Sequence, residues 1–180
     1  MREETPDQLL EKNMRVFKTV VVFFLCAAAQ SQAAADDPTR PGGPLDTCIA
    51  AVLNEHPGIV TSWRLAGGGP QPPFVITVLD KEGKRGETNC DSANPKNFEF
   101  KSKTGLYRYS MYESATLPEA KAREAAPLIF VGPVRFLVMD LSVGFTGRPQ
   151  YKYQMFLPSG HKATVEMDAV VGRLNEAEVK

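Results

Sequence analysis

Histidine is scarce in this sequence, with two residues in a chain of 180. His56 stands at a helix end before Pro57, and His161 stands in a turn beside Lys162. Both positions read as solvated surface. A zinc site takes three or four protein ligands, and two isolated histidines with a pair of bridged cysteines do not supply them. No Gly-x-Ser-x-Gly string is present, which removes the nucleophile elbow. Gly67-Gly68-Gly69 is not followed by Lys-Ser/Thr, so it is no phosphate loop, and Asp80-Lys81-Glu82-Gly83 lacks the spacing of a calcium loop. No pair of carboxylates stands out. An excess of either charge is also missing: 21 Lys and Arg balance 21 Asp and Glu. Without a basic surplus there is no electrostatic case for nucleic acid or for a polybasic membrane patch. These absences lead to the expectation of a non-enzyme that uses neither cofactor nor metal.

What is present begins with an address. Arg15 and Lys18 precede the apolar run Thr19–Ala29, and Ala33-Ala34-Ala35 then supplies small residues ahead of Asp36-Asp37. This is the layout of an export signal over residues 1–35, with cleavage after Ala35. The run is short for a bilayer span; an uncleaved anchor is the alternative. Glu3, Glu4, Asp7 and Glu11 are out of place in a signal, which suggests that residues 1–13 arise from a mis-chosen start and that Met14 is the better one. Cys26 follows Leu25 and not a small residue, a poor context for lipidation. The expected location is the periplasm or the medium, with no membrane attachment once the signal is removed. Cleavage would leave Cys48 and Cys90, an even number that suggests a disulfide in an exported protein; two buried free thiols are the alternative.

The rest of the chain follows one plan twice. Phe74–Lys103 lies on Tyr151–Lys180 without a gap, so that Gly83 meets Gly160, Asp91 meets Asp168 and Glu99 meets Glu176. Residues 36–43, rich in Pro and Gly, read as a flexible lead. Pro44 suits a first helical turn capped by Gly43, and Leu45, Cys48, Val52 and Leu53 recur at helical spacing before Pro57-Gly58 stops the helix. Strands are expected at Ile59–Leu65, Phe74–Leu79 and Arg85–Cys90. Residues 102–116 read as a connecting hairpin whose second arm is Leu106–Tyr112. Thr116-Leu117-Pro118-Glu119 has the form of a capping box, and alanines follow until Pro127 ends or kinks the helix. Strands are again expected at Val134–Leu141, Tyr151–Phe156 and Lys162–Asp168. Val134–Leu141 is apolar on both faces, so a second face needs cover, from the other half packed sheet to sheet or edge to edge, or from a partner.

The second unit, 117–180, resembles the PepSY domain family. The resemblance is carried by Ala122, Ala125 and Ala126, by Gly132, by the strand Tyr151–Phe156, by Pro158-Ser159-Gly160, and above all by the string Val165–Leu174 with its Asp168 and Gly172. The first unit, 44–101, keeps Gly58, Gly83 and Asp91 but has Asn94-Pro95 where the second has Val171-Gly172. The resemblance implies an α+β fold of two tandem units, each a helix on a three-stranded antiparallel sheet of cystatin-like shape. It also implies an envelope protein that binds a protein or peptide, with restraint of a peptidase as one form of that binding and no catalytic residues to carry over. Self-association through the sheet is the competing expectation. The loops Ala66–Pro73 and Ser142–Gln150 occupy equivalent places, and loops on a rigid sheet often carry recognition. Gly67, Gly68 and Gly69 in the first, with Phe145 and Arg148 in the second, are the expected binding residues. Trp63 and the tyrosines are expected to be structural.

Overall fold

A computed structural model describes residues 37–67, 73–91, 94–101, 109–144 and 146–180. Helix α1 spans Pro44–Glu55 and helix α2 Glu119–Ala125. The strands are β1 Ile59–Leu65, β2 Phe74–Leu79, β3 Arg85–Asp91, β4 Asn94–Lys101, β5 Arg135–Val143, β6 Pro149–Phe156, β7 Lys162–Asp168 and β8 Leu174–Val179. All eight join one antiparallel sheet in the order β4-β3-β2-β1-β5-β6-β7-β8.

This overturns the expected pair of tandem three-stranded units. The sheet is continuous, because β1 and β5 pair through Ser62↔Asp140, Trp63↔Met139 and Arg64↔Val138. A second lobe would leave the edges of β1 and β5 unpaired, and joining them satisfies their backbone N–H and C=O groups. The extra strand in the first half is β4. Asn94-Pro95, aligned in sequence with Val171-Gly172, opens this strand, and Pro95 is tolerated because β4 is an edge.

One core lies on one face of the sheet, under both helices. It joins Leu45, Cys48 and Val52 of α1 to Trp63, Ile76, Met139, Tyr153 and Val165 of the strands and to Ala122 of α2. Cys48 and Cys90 are disulfide-bonded, tying α1 to β3. Pro57-Gly58 ends α1 as expected, and Gly58 is required by a close approach: a Cβ there would stand 2.4 Å from the Leu79 carbonyl oxygen. The opposite face is polar. Ser62 bonds Thr77 at 2.9 Å, Lys152 bonds Glu166 at 2.7 Å, and half-buried Asp140 lies near Arg85 and Lys152. Burial pushes the Asp140 carboxyl up, and those two cations act against the rise. The second face of β5 thus carries Asp140 and Ser142 beside Val138, and it meets neighbouring strands edge to edge and not a second sheet.

Three local expectations also change. Residues 37–43, expected as a flexible lead, form successive hydrogen-bonded turns that bury Thr39 completely. Around the expected connecting hairpin, 102–108 lie outside the described residues, and Tyr109–Met111 is a 3-10 turn where a strand arm was expected. The capping box does not form. Pro118 is the cap, and the Thr116 hydroxyl donates to the Val170 carbonyl instead. Pro127 ends α2, taking an early position in the 3-10 turn Ala126–Ile129, where its missing N–H costs nothing.

Candidate functional site: a groove between the helices

A groove of about 580 Å³ lies between the described helices α1 and α2, over the centre of the sheet. One wall is α1, with Ile49, Ala50 and Leu53 facing in and Asp46 at one end. The other wall is the segment Tyr109–Ala115 and the start of α2, contributing Tyr109, Tyr112, Glu113, Glu119 and Ala120. Ile59 and Val60 of β1, Leu141 of β5 and Tyr151 of β6 form the floor. A largely apolar concavity with a few convergent polar groups is the usual form of a binding site. All three charged residues among its described lining are carboxylates: Asp46, Glu113 and Glu119.

Behind the lining lies a buried polar cluster centred on Arg123. Its side chain is fully buried, pairs with Asp46 across the helices, and lies 3.4 Å from Glu119 one turn earlier in α2. The guanidinium also sits 5.7 Å from the centroid of the Trp63 ring, within cation–π range. Its Nε and Nη1 have no hydrogen-bond partner among the described residues. Glu119 Oε1 accepts the Trp63 indole N–H at 3.2 Å, and the Tyr153 hydroxyl is shared between that oxygen at 3.3 Å and the Glu119 carbonyl at 3.2 Å. Burial raises the Glu119 carboxyl above its ordinary range, against the opposing pull of Arg123 and the Trp63 hydrogen bond. Tyr151, whose hydroxyl donates to the Leu117 carbonyl at 2.8 Å, is pushed up to about 12 by burial and by the nearby Glu119 charge. Tyr153 rises for the same two reasons. A shifted carboxyl in a cleft marks a functional candidate. Here the Glu119 oxygens are already engaged by Trp63, Tyr153 and Arg123, so the residue braces the groove and contributes charge to it.

Of the expected binding residues, Gly67 and Arg148 lie among the described residues, and these two do not meet. Since β1 and β5 run antiparallel, the loops that follow them leave opposite ends of the seam. Gly67 is exposed at one end. Arg148 is exposed at the other, 3.4 Å from Asp168, where it supports the turn after β7. Gly68, Gly69 and Phe145 lie outside the described residues. Cys48 and Cys90 are bonded and lie in the core, away from the groove lining. Sequence reasoning missed Asp46, Glu113, Glu119 and Arg123. The available signal was Arg123 within an otherwise alanine-rich helix face: a cation among Ala122, Ala125 and Ala126 needs a buried partner or an exposed position.

No family model matches the chain, and no curated protein matches it. Among solved structures it is similar to the crystal structure of a candidate lipoprotein from Clostridium difficile 630, with a TM-score of 0.50 at 12% identity over 76% of this chain and 93% of that one. At that identity the likeness shows the fold, an α+β arrangement on a single sheet.

Proposed function

We propose that the protein is a non-catalytic, exported binding protein that receives a protein or peptide of the cell envelope in the groove between its helices. The observation that carries this is the groove itself: an apolar floor over a rigid sheet, tyrosines on one side and an aliphatic helix face on the other. An exported setting is supported by the signal-like segment ahead of Asp36, by the Cys48–Cys90 disulfide, and by the similar fold of a candidate lipoprotein. Restraint of a peptidase is one form such binding takes. The test fills the groove. Ala50→Trp and Ala120→Trp place indoles into the space. Immobilised wild type exposed to envelope extract retains a defined partner, identified by mass spectrometry and confirmed by calorimetry with the purified species; both filled variants lose it while keeping the wild-type circular dichroism. Equal retention by the folded, filled variants overturns the proposal.

A further inference from the structure

We infer that the groove's occupant is a peptide segment that places a lysine or arginine side chain between apolar neighbours. This deepens the binding function proposed above and rests on it.

Charge complementarity is the first support. Asp46, Glu113 and Glu119 all reach the lining, while Arg123, the cation behind them among the described residues, is fully buried and divided between Asp46 and Glu119. Among the described residues, one guanidinium against three carboxylates leaves the groove electronegative. Glu113 is exposed and has no ion-pair partner among the described residues. A wholly apolar occupant would cover this carboxylate and give it nothing in return, and desolvating an unpaired charge is expensive. An acidic occupant would add repulsion. A basic side chain supplies the missing partner, and an arginine there pairs bidentately with a carboxylate.

The aromatic side of the groove is the second support. Tyr109 is half-buried and lines the groove beside these carboxylates, with the edges of the largely buried Tyr112 and Tyr151 below it. Ring faces attract ammonium and guanidinium groups and also cover the methylene stems of Lys and Arg. The aliphatic wall from Ile49 and Leu53 then favours apolar side chains next to the cation. At about 580 Å³ the groove has room for more than one side chain. These features favour a peptide over a free amine.

The test uses the full-length oxidised protein and three acetylated, amidated peptides, Leu-Val-X-Leu-Val with X as Lys, Gln or Glu, titrated by calorimetry. The Lys peptide is expected to bind at least tenfold more tightly than the Gln peptide and the Glu peptide more weakly still, with the gap narrowing in high salt. Glu113→Gln, an exposed substitution, reduces the preference for Lys over Gln, weakening the Lys peptide through loss of its ion pair and tightening the Gln peptide, which no longer covers an unpaired carboxylate. N-acetyl-lysine amide competes far less well than the peptide. Equal binding of all three peptides, abolished by Ala120→Trp, overturns the basic specificity and leaves the groove as a binding site. Competition by N-acetyl-lysine amide as strong as by the peptide overturns the peptide part. No binding of any peptide overturns both this inference and the function beneath it.

Discussion

Asp168 closes β7 with its own side chain: its Oδ1 accepts the N–H of Val170 at 2.8 Å and of Val171 at 3.1 Å, and Gly172 completes the turn at φ +72°. Those backbone N–H groups, with Arg148 assisting, hold the Asp168 carboxyl below its ordinary value. A carboxyl lowered in the folded state stabilises it above the unfolded value of about 3.9, and that contribution disappears as pH falls through the lower folded value. Asp168→Asn is therefore expected to flatten the acid limb of stability below about pH 4, as measured by urea unfolding across pH. Glu119 acts in the opposite sense. Its raised carboxyl takes up a proton in the folded state first, so its contribution to stability grows as pH falls through the folded value and is lost as pH rises through it. Arg123→Ala leaves Glu119 without its cation and is expected to cost about 3–5 kcal/mol, read from the urea midpoint. The pair Arg123→Met with Glu119→Gln recovers much of that loss, because Asp46 is partly exposed and returns to water.

The elements divide by whether their cause is local. α1 was legible because its start, its spacing and its stop are all written nearby: Pro44, the apolar set Leu45, Cys48 and Val52, and Pro57-Gly58. β1, β2 and β7 carry clear alternation or β-branched runs between turn residues, and Asp80–Gly83 is an evident turn, with Asp80 accepting the Lys84 N–H at 2.7 Å. The expected capping box failed for a distant reason. Glu119 is drawn into the core by Trp63 and Tyr153, 56 and 34 residues away, and cannot also turn back on its own helix. The groove was illegible for the same reason, since its carboxylates come from three separate segments. The disulfide belongs to this scale as well. It closes a separation of 42 residues between α1 and β3, and the chain-entropy relation puts its contribution at about 4 kcal/mol. Cys48→Ala with Cys90→Ala is expected to lower the unfolding free energy by that order, with the loss falling first on the packing of α1. Hydrogen exchange should then show α1 amides opening before those of β5 and β6. Equal protection across these elements would contradict it.

At the scale of the molecule, the described strands form one sheet whose order reads outward from β1 and β5, four strands to a side. What the letters did not contain was the seam. Pairing between β1 and β5 spans the whole intervening chain and leaves no periodic trace, so a doubled pattern was read as two separate sheets. The seam is short, with three paired positions, but it is thickly packed. Phe136 of β5 stands edge-on between Trp63 at 6.5 Å and Tyr153 at 5.4 Å, and the Trp63 indole bonds Glu119 of α2. Asp46 of α1 reaches Arg123 of α2 above the same line. Neither side keeps a closed core when the other leaves, because Trp63, Phe136 and Arg123 would all become exposed or unpaired. The folded region is therefore expected to unfold in one calorimetric transition, with the calorimetric and van't Hoff enthalpies equal. Trp63→Ala should lower stability by about 3–5 kcal/mol without splitting that transition. Two resolved transitions in the wild type would mean that the sides fold independently, and the groove above the seam would then lose the rigid floor on which its proposed selectivity depends.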